Sequence, residues 1–220
     1  IMNDGRKLIL ASAHLIPDAA ICDPDLTLGL PPTMTAGAGM DAFTHCVEAV
    51  LSPTIDPPAE AVGLDGIERI YRSENLIKAV KDGTNKEARW NMMMAATEGA
   101  MAFTKGLGAV HSMSHACGAK QELKLHHGTL NGVILPTIIR FNKAHVGDKY
   151  ERIVRSMGLP ESSDLAEIIE NLNSEIGLPK NLGEMNIVED MIPELSQHSV
   201  VDVCSFTNPV IPTLEDYEKQ

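Results

Sequence analysis

The strongest constraint in this sequence is a pair of helical repeats of metal-binding side chains. Asp41 and His45 are four residues apart in GMDAFTH, and His111 and His115 are four residues apart in HSMSH. Residues four apart share one face of an α-helix, so each pair can direct two side chains at a single point. A carboxylate and several imidazoles that converge in this way indicate a metal site between helices.

Each of these side chains also has an ordinary structural interpretation. Asp41 could be a helix N-terminal carboxylate favoured by the helix dipole, and a single buried histidine is more often a core residue with satisfied hydrogen bonds. A carboxylate in the apolar stretch around Asp41 is costly unless it is paired or bound to metal. The second pair, four residues apart like the first, favours ligation or catalysis, although a histidine pair at this spacing is a weak pattern by itself.

Composition excludes two classes of partner. The net charge of −12 argues against a nucleic-acid surface, which needs a clustered basic face. The longest apolar runs, such as LNGVILPTII, are shorter than the ~20 residues that cross a bilayer, so we expect no membrane partner. The four cysteines form no CxxC pair, which favours a reduced, cytoplasmic chain over a disulfide framework.

The residue pattern changes after Leu30-Pro31-Pro32, which predicts a boundary between segments 1–32 and 33–220. Before it, residues 6–12 and 19–22 resemble strands that are too few to satisfy their own edges, so we expect them to belong to a larger sheet. After it the periodicity is helical, with Thr33 or Thr35 as the first cap. Helices are predicted at 33–51, 57–80, 85–104, 109–122, 128–142, 147–157, 163–175 and 189–199.

Five blocks carry a family resemblance over most of the chain. They are ICDPDLTLGLPP, TAGAGMDAFTHCVEAVLS, GLGAVHSMSHACGA, HHGTLNGVILPTIIRFN and CSFTNPVIPTLEDY. In this order the chain resembles the C-terminal two-thirds of the group III, iron-containing alcohol dehydrogenases. The resemblance implies a dehydroquinate-synthase-like two-domain fold, with an N-terminal α/β NAD(P)-binding domain and an all-helical metal-binding domain. No GxGxxG or GGGS motif occurs, so 1–32 would be trailing strands of a nucleotide-binding domain that is otherwise missing, and the fold would be mainly α.

The resemblance also implies roles for individual residues. It places His115 near the substrate and nicotinamide without making it a principal ligand. An imidazole there can pass the alcohol proton towards solvent, so His115 is the predicted catalytic residue. The four metal ligands that it implies are Asp41, His45, His111 and His127. The residues that it places near the nicotinamide cofactor are Lys7, Leu26, Thr27 and Leu30.

The last ligand needs a choice between two neighbouring histidines. The segment 119–125, AKQELKL, carries two residues more than the familiar members of the family have before the histidine–glycine pair. Gly128 permits a tight turn into the next helix, so the residue directly before it is held in a fixed orientation. We therefore predict that His127 is the ligand and that His126 faces solvent or contacts substrate.

The implied activity is a metal-dependent oxidoreductase that interconverts a primary or secondary alcohol and its aldehyde or ketone by hydride transfer with NAD or NADP. The metal would be Fe(II), Zn(II) or another divalent ion, since ligand type alone does not choose among them. The full-length protein would be a homo-oligomer, and this chain alone would be inactive. Two alternatives stay open: a glycerol-dehydrogenase-like or dehydroquinate-synthase-like metal enzyme, and a non-catalytic helical metal-binding fragment.

Overall fold

A computed structural model describes residues 12–220, together with the backbone of residues 2–3 and 6–7. Two short strands, β1 (Met2–Asn3) and β2 (Arg6–Lys7), pair in antiparallel register with Met2 opposite Lys7. The rest of the described chain is helical or irregular. Its α-helices are α1 (Pro32–Leu51), α2 (Pro57–Ile67), α3 (Asn75–Lys81), α4 (Lys86–Ala102), α5 (Ala109–Gly118), α6 (His127–Asn142), α7 (Lys149–Ser156), α8 (Leu165–Glu175), α9 (Ile192–Val200) and α10 (Leu214–Lys219). The predicted mainly helical fold is confirmed.

Helix α1 is the centre of the domain. Fourteen of its 20 residues are buried, and it packs against α2, α3, α4 and α6. A helix that is apolar on nearly every side belongs in a protein interior. Polar side chains on such a helix lie in a low-dielectric environment and need partners there. None of the helices in the described residues is both long enough and apolar enough to span a membrane.

Glycines allow the backbone of α6 to lie directly against α1. A Cβ atom on Gly128 would lie 2.1 Å from the carbonyl oxygen of Gly37, which no packed structure tolerates. A Cβ atom on Gly132, one turn later, would lie 2.8 Å from Leu178 Cδ1 and 3.0 Å from Met40 Cβ. The close approach brings the side chains that flank these glycines on α6 to the polar face of α1.

The N-terminus of α5 is capped by residues from elsewhere in the chain. The Ala109 N–H donates to Asn208 Oδ1 at 3.1 Å, and the Val110 N–H donates to Glu48 Oε1 at 2.8 Å. These bonds satisfy donors that a helix start leaves without intrahelical partners, and a carboxylate there is also favoured by the helix dipole. A Cβ atom on Gly108 would lie 2.7 Å from Asn208 Oδ1, so glycine permits the cap. The cap fixes where α5 presents its histidines.

Two predicted helices end earlier than expected. The helix predicted at 57–80 is broken, because α2 passes into a π-helical turn at Glu68–Arg72 and Glu74 adopts a left-handed φ of 54°. At this break the Asn75 side chain donates a hydrogen bond to the Arg69 carbonyl at 2.8 Å. The helix predicted at 109–122 ends at Gly118.

The predicted cap of α1 was also wrong. The helix begins at Pro32 after Pro31, without a side-chain cap. Thr35 is instead buried inside the helix, where its hydroxyl accepts a hydrogen bond from Arg89 at 2.7 Å.

The strand predicted at 19–22 was wrong. These residues form no strand within the described part of the chain, and Ile21 is 92% exposed. An apolar run without a sheet partner has no ladder of hydrogen bonds to hold it as a strand. Residues 8–11 of the other predicted strand lie outside the described residues. The boundary at residue 32 stays a prediction.

Candidate metal centre

One face of α1 carries three polar side chains. Asp41, His45 and Glu48 are spaced at i, i+4 and i+7, which places them in one row along the helix. Asp41 and His45 are partly exposed, whereas Glu48 is buried. The row therefore runs from an accessible end into the core.

The structure brings the four predicted ligands together at the accessible end of this row. The Nε2 atoms of His111 and His45 lie 3.1 Å apart. Asp41 Oδ1 lies 3.8 Å from His111 Nε2 and 3.7 Å from His127 Nε2. The ligand atoms of Asp41, His45 and His111 all lie within 4.8 Å of one another. His127 lies next to this trio, on the side of Asp41.

This spacing fits a single divalent ion. Tetrahedral coordination at the usual bond length of roughly 2.0–2.1 Å separates neighbouring ligand atoms by about 3.3 Å, close to the distances between these groups. Two imidazole nitrogens 3.1 Å apart need a shared proton or cation between them, because two lone pairs would repel. One carboxylate and three imidazoles suit Fe(II), Zn(II) and similar ions.

The charge balance at Asp41 is consistent with cation binding. Burial alone would raise the pKa of the Asp41 carboxyl, but His45, His127, His111 and the Asn131 amide outweigh it and lower that pKa. Asp41 is therefore held as an anion among basic groups.

Glu48 fixes the orientation of His111. The His111 Nδ1 donates to Glu48 Oε2 at 2.6 Å, and the two side chains are 1% and 4% exposed. Burial raises the pKa of the Glu48 carboxyl, while the N–H groups of Val110 and Gly108 oppose the rise. A carboxylate on Nδ1 sets the tautomer of a ligand histidine, since it leaves the Nε2 lone pair to face the metal. Glu48 thus links the cap of α5 to the candidate ligand set.

Asn131 lies among the candidate ligands. It follows His127 by one turn of α6, and its Nδ2 lies 2.6 Å from Asp41 Oδ1. The same nitrogen is 3.2 Å from His111 Nε2 and 3.3 Å from His127 Nε2. Asn131 thus contacts three of the four candidate ligands.

His115 lies beside the candidate ligands and is held from its other side. Its ring stacks on that of His127, with centroids 5.3 Å apart and an interplanar angle of 11°. Its Nδ1 donates to Asp202 Oδ2 at 2.9 Å. Burial would raise the pKa of Asp202, but the bonds from His115 and the Cys204 N–H outweigh it and lower that pKa. Asp202 is therefore an anion that orients the His115 ring.

The cluster of His115, Asp202 and Cys204 is a less suitable metal site than the first group. Its ligand atoms lie within 4.8 Å of one another. Burial raises the pKa of the Cys204 thiol, however, and a thiol must lose its proton to bind metal. The Cys204 N–H and the His115 ring already occupy the Asp202 carboxylate, so hydrogen bonding explains this cluster without an ion.

His126 has a structural role that was not predicted for it, and its predicted exposure to solvent or substrate stays a prediction. Its Nδ1 accepts a hydrogen bond from the Thr129 N–H at 3.3 Å and so caps the start of α6. The ring is half-buried. His126 thus caps the start of α6, whereas His127 points towards Asp41.

The residues predicted near the cofactor do not form one cluster, unlike the candidate metal ligands. Thr27 and Leu30 line a cavity of about 200 Å³ between the segment before α1 and helix α4. Leu26 is 84% exposed and does not line it. Lys7 forms part of β2, but its side chain lies outside the described residues.

Sequence reasoning missed three residues of this centre. Glu48 and Asn131 had a usable signal, since each lies on the helical face of a candidate ligand, three residues after His45 and four after His127. Asp202 had none, because 87 residues separate it from His115. Only tertiary folding brings that pair together.

Comparisons with known proteins agree with this geometry. Residues 35–219 match the model of the Fe-containing alcohol dehydrogenase family, C-terminal. The 4-hydroxybutyrate dehydrogenase of Cupriavidus necator is 44% identical over 226 residues, which cover 100% of this chain and 59% of that protein. The probable alcohol dehydrogenase EutG of Salmonella typhimurium strain LT2 is 36% identical, over 93% of this chain and 52% of that protein. The chain thus spans little more than half the length of these relatives.

Solved structures show the same similarity. An iron-containing alcohol dehydrogenase from Thermococcus thioreducens matches with a TM-score of 0.86 and 31% identity, over 96% of this chain and 55% of that one. A 1,3-propanediol oxidoreductase matches with a TM-score of 0.84 and 32% identity, over 90% and 53%. From the family match and these likenesses, the chain belongs to the iron-containing alcohol dehydrogenase family.

Proposed function

We propose that this chain is the metal-binding domain of an NAD(P)-dependent alcohol dehydrogenase. The observation that carries the proposal is the cluster of Asp41, His45 and His111, whose ligand atoms lie within 4.8 Å of one another, with His127 Nε2 3.7 Å from Asp41 Oδ1. Membership of the family supports it. The proposed metal ligands are Asp41, His45, His111 and His127.

The proposed reaction interconverts an alcohol and its aldehyde or ketone. A divalent ion at this site would supply Lewis-acid polarisation of the substrate oxygen, and the nicotinamide cofactor would carry the hydride. Asp41 and the three imidazoles would hold the ion, and Glu48 would keep the Nε2 lone pair of His111 directed at it. Fe(II), Zn(II) and other divalent ions all suit these donors.

His115 is the proposed catalytic residue for proton transfer. Because its Nδ1–H is held by Asp202, the neutral ring carries its lone pair on Nε2, and that nitrogen can exchange a proton with the substrate hydroxyl. The 11° stacking on His127 keeps this ring beside the ligand set. Asp202 acts through His115 and is a positioning residue.

The cofactor would be held by parts of the protein beyond the metal centre. We propose that Lys7, Leu26, Thr27 and Leu30 lie along the cofactor path, with 1–32 as the end of a nucleotide-binding domain. The cavity shared by Thr27 and Leu30 supports this for two of the four residues.

We also propose a homo-oligomer in the cytoplasm, and the lack of any disulfide among the four cysteines supports a reducing compartment.

The name of one relative suggests a substrate class. The Cupriavidus necator protein is named for 4-hydroxybutyrate, so we propose a short ω-hydroxy acid or diol and its aldehyde as the substrate. The test is an assay of the protein that includes this chain and its nucleotide-binding domain, with NAD(H) or NADP(H) and 4-hydroxybutyrate, 1,3-propanediol or butan-1-ol. We expect turnover that a chelator removes and added Fe(II) or Zn(II) restores. Turnover that survives complete metal removal would contradict the proposal.

Replacing Asp202 by asparagine should lower kcat by on the order of 10²-fold, the lower end of what a positioned acid–base group contributes. Asparagine cannot hold the Nδ1–H tautomer of His115 in the same way. The metal content should stay unchanged, because Asp202 contacts none of the proposed ligands in the described hydrogen bonds. Steady-state kinetics and elemental analysis check both points, and Asp202→Glu should recover part of the lost kcat. Loss of metal from Asp202→Asn would instead assign Asp202 to the metal site.

A further inference from the structure

Asn131 is a fully buried amide whose surroundings are not those of an ordinary core residue. It is 0% exposed, and its Nδ2 lies within 3.3 Å of atoms from three candidate ligands, Asp41, His111 and His127. Its Oδ1 has no hydrogen-bond partner among the described residues. Burying an unpaired amide oxygen is unfavourable, so such an atom calls for an explanation.

The unpaired oxygen alone does not mark a site. Asn173 is also buried and also has an Oδ1 without a partner in the described chain. Its Nδ2, however, donates to the Gly132 carbonyl at 2.7 Å, which is an ordinary structural bond between α8 and α6. What distinguishes Asn131 is the identity of the groups that its nitrogen contacts.

The donor and acceptor roles at Asn131 follow from its neighbours. A carboxylate can only accept, so the 2.6 Å contact is an N–H of Asn131 donating to Asp41 Oδ1. The His111 ring donates its Nδ1–H to Glu48, so its Nε2 is an acceptor. The Asn131 Nδ2, 3.2 Å away, is a donor to this nitrogen and shares its single lone pair with His45. One neutral amide thus holds a carboxylate and an imidazole without adding a charge to the site.

The sequence around Asn131 explains how a short side chain reaches α1. His127 and Asn131 are followed by Gly128 and Gly132, which are the two glycines that let the α6 backbone lie against α1. Asn131 and His127 are themselves an i, i+4 pair, the third such pair at this centre. The Asn131 amide therefore lies where the backbones of α6 and α1 come closest to each other.

We propose that Asn131 is a positioning residue of the metal centre, which holds Asp41 and His111 around one point before metal binds and keeps its bond to Asp41 afterwards. The inference rests on the proposed function, since it requires that these residues bind a metal. A neutral donor here lowers the cost of assembling the ligands. An aliphatic side chain would leave Asp41 without this donor, and a second carboxylate would repel it until a cation arrived.

The test compares metal affinity in the 220-residue chain and three variants. Co(II) and Zn(II) are titrated against a competing chelator, and the Co(II) absorption bands report the ligand field. Asn131→Leu should weaken affinity about 10–100-fold, the range found for outer partners of metal ligands. Asn131→Asp should strengthen affinity while making the metal-free chain less stable to urea. Asn173→Leu, the matched control, should lower stability without changing affinity.

The outcomes separate this inference from the proposed function. Wild-type affinity in Asn131→Leu, or an equal loss of affinity in Asn173→Leu, would overturn the role of Asn131 while leaving the metal site in place. A lower affinity in Asn131→Asp would also overturn it, because a purely structural residue would lose affinity with either substitution. No metal binding by the wild-type chain would overturn the proposed function and the inference together.

Discussion

His127→Ala should abolish stoichiometric binding of a divalent metal, whereas His126→Ala should leave it intact. The two histidines are neighbours, but His127 Nε2 lies 3.7 Å from Asp41 Oδ1 and His126 caps α6 through Thr129. Loss of an outer partner already costs about 10–100-fold in affinity, so loss of a ligand should cost more than about 100-fold. Elemental analysis after dialysis, together with chelator competition, measures the difference.

The same pair of variants controls for folding. His126→Ala removes a helix cap and should cost about 1 kcal/mol of unfolding free energy, whereas His127→Ala leaves that cap in place. If metal binding were lost through unfolding, the loss would therefore appear in His126→Ala and not in His127→Ala. Metal lost from His126→Ala and kept in His127→Ala would mean that the longer 119–125 segment shifts the ligand by one residue.

Lys105→Met should destabilise the domain by about 3–5 kcal/mol, the cost of leaving buried polar and charged groups without their partner. The Lys105 side chain is 0% exposed, and its Nζ lies 3.1 Å from Glu60 Oε2. Three carbonyls at the end of α1 accept its hydrogen bonds, those of Ala49, Val50 and Ser52, at 2.8–3.1 Å. Methionine fills the space but donates nothing. Urea unfolding of the metal-free chain measures the loss.

One effect works against this loss. Burial and the neighbouring Lys105 charge lower the pKa of Lys149 to about 8, so removal of Lys105 relieves part of that repulsion. Lys149 also donates to the Leu51 carbonyl and covers part of the helix end. Lys81→Met, which breaks an exposed pair with Glu175, should cost only about 0–1 kcal/mol and is the matched control. A loss below 1 kcal/mol in Lys105→Met would show that Lys149 replaces Lys105.

Much of the helical architecture could be predicted from the sequence because helices follow local rules. The signals that predict them lie within short stretches of sequence, such as the apolar periodicity of α1 and the glycine after His127. Most of the predicted helices form close to their expected bounds. The exceptions are also local. Glu74 adopts a left-handed conformation although it is not a glycine. Helix α10 begins with a Thr213–Asp216 capping box and was not predicted.

The candidate centre could be predicted only where its residues share a helix. The i, i+4 rule predicted the Asp41–His45 and His111–His115 pairs, but not that Glu48 would be the partner of His111. Nor could it predict the pairing of His115 with Asp202, which depends on how the segment after α9 folds back onto α5. Spacing identifies candidate ligands, whereas the residues that orient them emerge from packing.

We propose that α1, α5 and α6 hold one divalent ion between them. The most direct measurement is anomalous X-ray scattering from crystals of the chain grown with Fe(II) or Zn(II), with data collected at the absorption edge of the metal. We expect a single peak per chain, at about 2.0–2.2 Å from ligand atoms of Asp41, His45, His111 and His127. No peak at this position, or a peak instead at His115, Asp202 and Cys204, would contradict it.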